Sequence, residues 1–208
     1  MIADIWELFI DVLIPPRPSE RVVRTLNLQM LESLSSEDGL PYHDPRVTAL
    51  VWELKYYANR RAAALAGALL AEKLLAVAAE ELGTPLLVPV PMHAARRRER
   101  GHNQTELLCK AALFALRSSQ SEVGPVLEYA PKALVRTTNT KHQQGLPRHI
   151  RLKNIKNSMT APNPALVRER VCIVVDDVAT TGATLEEAKR ALRKAGARVV
   201  HTVTLARS

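Results

Sequence analysis

A chain of 208 residues with 47% hydrophobic side chains has enough apolar matter for a full core, as one domain or one domain with an appendage. Aromatics, at 4%, leave Leu, Val, Ile and Ala to fill that core, the usual composition where helices cover a parallel sheet. Two isolated cysteines, Cys109 and Cys172, exclude a disulfide framework and a zinc site, and a net charge of +8 favours phosphorylated small molecules, nucleic acid or an acidic protein as partners.

Residues 2–14 are apolar but carry Asp4, Glu7 and Asp11, with no basic leader and no small-residue cleavage site. They predict an amphipathic helix ending before Pro15 and Pro16, rather than a secretory signal or a bilayer span. Nothing else approaches a transmembrane run, so a soluble, cytoplasmic protein is expected. Residues 22–28 predict a short strand, a small helical stretch follows, and residues 39–45 read as a loop. This places a soft boundary near residue 45, dividing an appendage, 1–45, from a main domain, 46–208. Residues 46–82 are rich in good helix formers and predict two helices meeting near Ala58 and Asn59. Residues 86–90 are a short apolar run edged by prolines, hence a buried strand. A basic loop, 92–103, carries Arg96, Arg97, Arg98 and Arg100, and a helix over 104–116 completes half of a βαβ unit. Residues 134–164 have no clean apolar period and hold Arg136, Lys141, Arg148, Arg151, Lys153 and Lys156. A mobile lid over a phosphorylated substrate has this composition. Residues 171–175 form an unbroken apolar run, a buried parallel strand that Asp176 and Asp177 end. A turn over 178–183, a helix over 184–195 and a last strand over 198–205, at or near a sheet edge, finish the chain.

The sharpest chemistry lies where that strand stops. Two carboxylates reach the C-terminal edge of a parallel sheet, where ligands of open α/β folds bind. Small and hydroxylated residues follow: Ala179, Thr180, Thr181, Gly182, Ala183 and Thr184. A helix then begins, with free N–H groups and a dipole that favour an anion. Adjacent carboxylates would repel a bare phosphate, but a sugar phosphate suits both halves: hydroxyls to the acids, phosphate to the loop. The segment lacks the Gly-Lys-Ser/Thr ending of a Walker loop and the three spaced glycines of a dinucleotide fingerprint.

The segment closely resembles the phosphoribosyl pyrophosphate signature of type I phosphoribosyltransferases. That resemblance implies an α/β fold, a mostly parallel central sheet flanked by helices. It implies that Asp176 and Asp177 contact ribose hydroxyls and serve Mg²⁺ indirectly or through substrate. It assigns the 5-phosphate to Ala179, Thr180, Thr181, Gly182, Ala183 and Thr184. Many purine-salvage members carry an acid where this chain has Thr180, whose hydroxyl is no general base near pH 7.

Two further segments narrow the likeness. Pro89, Val90 and Pro91, then Arg96 or Arg97, Arg100, Gly101, Asn103 and Gln104, resemble a pattern of the ComF family. So do Arg136, Thr140, Gln143, Leu146, Arg151 and Asn154, and the Leu54-Lys55-Tyr56 helix upstream. Many relatives open with zinc-type cysteines, which the first forty-five residues here lack. The resemblance implies phosphoribosyl transfer from phosphoribosyl pyrophosphate, with Arg97, Arg100, Lys141 and Arg151 stabilising leaving charge. Its alternative is a non-catalytic accessory of DNA uptake or repair that meets single-stranded DNA or a competence helicase. A homodimer is left open.

Overall fold

The computed structural model describes residues 15–119, 127–138 and 155–208. The expected helix over 2–14, and Thr140, Lys141, Gln143, Leu146, Arg148, Arg151, Lys153 and Asn154, lie outside them. In chain order the elements are α1 (Pro18–Thr25), α2 (Leu28–Leu34), β1 (Leu40–Pro41), α3 (Pro45–Tyr57), α4 (Arg60–Ala79), β2 (Leu86–Pro89), α5 (Ala94–Arg100) and α6 (Gln104–Ser119). Then follow β3 (Glu128–Tyr129), β4 (Val135–Arg136), β5 (Met159–Thr160), α7 (Pro164–Val167), β6 (Val171–Ala179), α8 (Ala183–Lys194) and β7 (Val199–Arg207).

Five strands form one parallel sheet in the order β1-β7-β6-β2-β3, with β6 at its centre. The register sets Leu86 beside Cys172 and Val171 beside Val199. Side chains alternate across β6, so each face buries its own set. Ile173 and Val175, with Leu87 and Val203, pack against Leu70 and Leu74 of α4 and Leu108 of α6. Cys172 and Val174, with Leu86 and Val200, pack against Ala188 and Leu192 of α8. Helices on both faces are what an all-parallel sheet requires. A separate antiparallel pair, β4 and β5, is tied to α8: the Glu187 carboxylate accepts from Met159 N–H at 3.0 Å.

Residues 15–45 enter the first of these cores. Val23, Leu26, Leu31 and Leu40 are fully buried in it, and β1 extends the sheet beside β7. Arg17 donates two hydrogen bonds to the fully buried Glu53 of α3, at 3.2 and 2.9 Å, with Ser19 and Asn59 adding 2.7 and 2.9 Å bonds. Burial works to raise the Glu53 carboxyl, but these bonds outweigh it and hold it below the ordinary carboxylate range.

Three expectations change. The strand over 22–28 is instead the end of α1 and the start of α2: Pro18 opens a helix, Glu20 pairs with Arg24 one turn on at 3.0 Å, and Asn27 caps the next helix. The basic loop 92–103 holds the helix α5, begun by His93, whose Nδ1 accepts from Ala95 N–H, and closed by Gly101 at φ 79°. The acids do not end their strand, since β6 pairs with β7 on to Ala179. The two helices expected to meet near Ala58 and Asn59 are α3 and α4, with Ala58 left-handed at φ 47° between them. Among the described residues α4 is long and apolar enough to cross a bilayer, which the reading of a chain without such a run passed over. Here it is a core helix, lying so close to α6 that a Cβ on Gly67 would sit 2.4 Å from the Ala111 Cβ.

Candidate functional site

The site is built on the last turn of β6. Both acids are nearly buried, Asp176 at 7% and Asp177 at 5% exposure. Asp177 serves the face covered by α3 and α6. Its Oδ2 accepts from Lys55 Nζ at 3.2 Å and Gln104 Nε2 at 3.3 Å, and its Oδ1 from the Val178 N–H at 2.9 Å. Burial lowers the affinity of Lys55 for its proton, but the Asp177 charge more than restores it, so the ammonium titrates above its usual range. Asp176 takes the other face. Its Oδ1 accepts from the Asp177 N–H at 2.9 Å, and burial followed by the charge of Asp177 pushes its carboxyl well above the usual range.

Arg136 of β4 lies within electrostatic reach of Asp176, Arg96 and Glu187. Burial depresses its guanidinium, and its Nε–H, shielded from solvent, donates to no acceptor. An unmet buried donor is uncommon and marks a place where a ligand oxygen fits.

Beyond the acids, Ala179 completes the strand and Thr180, Thr181 and Gly182 form the turn into α8. Gly182 is the helix N-cap at φ 73°, a conformation open to glycine at little strain, and a Cβ there would meet nothing within 4 Å. No side chain caps this helix from the N-cap position, although Thr181 Oγ1 accepts a long 3.4 Å bond from the Ala183 N–H. Thr181, Ala183 and Thr184 are half-buried and Thr180 is exposed. Backbone N–H groups therefore remain for an oxyanion, with the helix dipole behind them.

The facing wall comes from the end of β2. The Val90 carbonyl accepts from Asn103 Nδ2 at 3.2 Å and Thr105 Oγ1 at 2.7 Å, which pins the start of α6 and places Gln104 against Asp177. Arg100 donates to Gln104 Oε1 at 3.2 Å and lies over the Tyr56 ring. Arg97 is not brought to the acids: it forms a bidentate pair with Glu106 at 2.7 and 3.0 Å. Lys141 and Arg151 lie outside the described residues. The sequence reading missed Lys55, Gln104 and Arg136 as site residues, although all three belong to the family-like patterns it had singled out.

The donor set suits a hard divalent cation only in part. Two adjacent carboxylates are present, and among the described residues no cluster of three or more metal-type side chains exists. A Mg²⁺ held by such a pair would complete its shell with water and substrate phosphate.

The carboxylate pair and the helix start lie in a stretch that the family model "Phosphoribosyl transferase domain" matches, residues 67–208, so the chain carries a phosphoribosyltransferase-type domain. The fold is the type I form that the sequence led us to expect. The chain is 34% identical over 170 residues to the DNA utilization protein YhgH of Salmonella typhi, covering 80% of this chain and 69% of that protein. It is 33% identical over 124 residues to Competence protein F of Haemophilus influenzae, covering 59% of this chain and 50% of that one. With these relatives, the chain belongs to the ComF family of the phosphoribosyltransferase superfamily. Similar solved structures include the glutamine phosphoribosylpyrophosphate amidotransferase of B. subtilis, 16% identical, covering 74% of this chain and 30% of that one at TM-score 0.41. Trypanosoma cruzi hypoxanthine phosphoribosyl transferase is 13% identical, covering 68% and 63% at TM-score 0.40. At such scores neither adds to the family assignment.

Proposed function

We propose that the chain binds phosphoribosyl pyrophosphate with Mg²⁺ at the C-terminal end of β6 and transfers its phosphoribosyl group to an acceptor. The observation that carries this reading is the carboxylate pair followed at once by an uncapped helix start. The 5-phosphate takes the N–H groups and hydroxyls of Thr180 to Thr184. The ribose hydroxyls donate to Asp176 and to the Asp177 oxygens that Lys55 and Gln104 already orient. The diphosphate extends toward Arg136 and Arg96, and the Arg136 Nε–H gains the acceptor it lacks. The anomeric C–O bond breaks, the diphosphate leaves with the electron pair, and the guanidinium groups meet the charge it carries away. Mg²⁺, when bound, would neutralise phosphate charge beside the two acids.

The test is calorimetric titration with phosphoribosyl pyrophosphate and Mg²⁺. The wild type is expected to bind, and the double variant Asp176→Asn/Asp177→Asn to lose that binding. Equal binding by both, or none by the wild type at millimolar ligand, sinks the reading. Pyrophosphate release across an acceptor panel then tests transfer.

The relatives' names, "DNA utilization protein" and "Competence protein F", favour a second reading, a non-catalytic role in DNA handling with a basic surface meeting single-stranded DNA or a helicase. A salt-dependent gel shift with single-stranded DNA, and no pyrophosphate release with any acceptor, would select it. Both readings place the chain in the cytoplasm.

A further inference from the structure

Of the eight aromatic residues in the chain, three stand exposed on one stretch of α3: Trp52 at 46%, Tyr56 at 43% and Tyr57 at 46%. Contiguous exposed apolar surface of this kind marks a contact site more often than chance. Trp52 and Tyr56 are one helical turn apart, with ring centroids 4.4 Å from each other and planes tilted by 45°. The Arg100 guanidinium lies 4.9 Å from the Tyr56 centroid. Two bonded paths join this cluster to the proposed sugar site. Lys55, next to Tyr56, pairs with Asp177, and Arg100 holds Gln104, which donates to the same Asp177 oxygen. The mount is rigid, because Glu53 of the same helix is buried and bonded to Arg17, Ser19 and Asn59.

We propose, resting on the transfer reading above, that Trp52, Tyr56 and Arg100 form the acceptor subsite. Its ligand is a small, flat heteroaromatic ring bearing a negative charge. The exposed Trp52 ring supplies a stacking surface. Arg100 supplies the positive charge for a ring carboxylate. Ammonia or a simple amine has no use for such a platform. A nucleic acid strand needs a longer one, and one face of the third ring is already taken: Arg17 lies 3.7 Å from the Tyr57 centroid and is itself tied to Glu53. A ring nitrogen with a free lone pair forms the new bond to the anomeric carbon while the bond to diphosphate breaks, the diphosphate taking the electron pair. No proton has to move, which suits a loop from Thr180 to Thr184 that holds hydroxyls and no base.

The experiment loads the full chain with phosphoribosyl pyrophosphate and Mg²⁺, then titrates pyridine-3-carboxylate, pyridine-2,3-dicarboxylate and imidazole-4-carboxylate. Ammonia and a short oligothymidylate serve as comparisons. At least one heteroaromatic acid is expected to bind and to release pyrophosphate. Trp52→Ala should weaken that binding roughly tenfold, the scale of one lost ring stack, with Trp52→Phe restoring most of it. Affinity for phosphoribosyl pyrophosphate should stay within about twofold in both variants, which also shows that they fold. Three results overturn the proposal and leave the transfer reading standing: no heteroaromatic acid binds the loaded wild type, Trp52→Ala binds as the wild type does, or ammonia alone releases pyrophosphate. Displacement of the acid by the oligothymidylate, lost in Trp52→Ala, also overturns it and assigns the rings to a strand. No binding of phosphoribosyl pyrophosphate by the wild type sinks both.

Discussion

Asp176 and Asp177 are neighbours in sequence, yet they serve opposite faces of β6, and the two faces treat charge differently. On the Asp177 face a cation and an amide meet one carboxylate oxygen and a backbone N–H meets the other. On the Asp176 face a buried carboxyl is driven toward its protonated form, and a half-buried guanidinium across from it has a shielded Nε–H with no acceptor. Around Asp177 the charge is met by protein groups. The Asp176 face holds unmet polarity that ligand atoms would complete, and fixed polarity of that kind is paid for by the rest of the fold.

The largest expected effect comes from breaking the Asp176 face. Asp176→Asn should weaken phosphoribosyl pyrophosphate binding by on the order of 100-fold, since a charge-assisted acceptor for a sugar hydroxyl is lost. The same variant should be more stable than the wild type at neutral pH by about 1 kcal/mol, because an ill-placed buried charge is removed. The sign follows from the raised folded-state pKa: the wild type loses stability as pH rises above the ordinary Asp value of 3.8. The advantage of Asn is therefore absent in stronger acid and grows as pH rises. Denaturant melts at several pH values read it directly; a less stable Asn variant at pH 7 would reverse the comparison.

Next comes the mount of Arg136. Glu187 is buried, accepts from Met159 N–H, and is gripped by Arg190 at 2.7 and 2.8 Å. Burial works to raise its carboxyl, but these bonds prevail and hold it below the usual range. Glu187→Gln should cost about 2 kcal/mol at pH 7. A depressed pKa gives stability that is present above the ordinary value of 4.5 and lost in stronger acid, so the gap should close as pH falls below that value. Affinity for inorganic pyrophosphate should fall with the loosened β4–β5 pair. On the Asp177 face, Lys55→Met should cost a similar amount, about 2 kcal/mol, because the nearly buried Asp177 carboxylate keeps its amide donor but loses its cation.

The contrast between faces also explains what the sequence could tell. The strand β6 and the turn after it were legible because a run of five apolar residues, two acids and a Thr-Thr-Gly turn have few other uses side by side. The break between α3 and α4 was legible from local composition. Lys55 was not, because its partner lies 122 positions away and no local period points to it. The arginine cluster was misread for a different reason. Taken as a loop, residues 92–103 have no faces, so Arg97 was as good a choice as Arg96. Once α5 forms, neighbours diverge by about 100° around the axis, which sends Arg97 to Glu106 and leaves Arg96 near Arg136. The strand expected over 22–28 is helix instead, because Pro18 opens α1, Glu20 pairs with Arg24 one turn on, and Asn27 caps α2.

The smallest effect sharpens the comparison without altering the protein. Each face carries one free thiol: Cys172 lies beside Val174 on the Asp176 face, and Cys109 lies in the core under the Asp177 face. Burial pushes the Cys172 thiol up to about 11, and pushes Cys109 higher still. Neither reacts as a thiolate at pH 8 without an opening motion, so the alkylation rate measures local opening. A ligand that bridges the turn before α8 to Arg136 stabilises the closed form of the Asp176 face. At ligand ten times its dissociation constant, labelling of Cys172 should slow by roughly tenfold. Labelling of Cys109 should slow less, because that bridge lies on the opposite face of β6. Equal slowing would mean that both thiols open only with the whole fold, and preferential protection of Cys109 would place the ligand on the other side of β6.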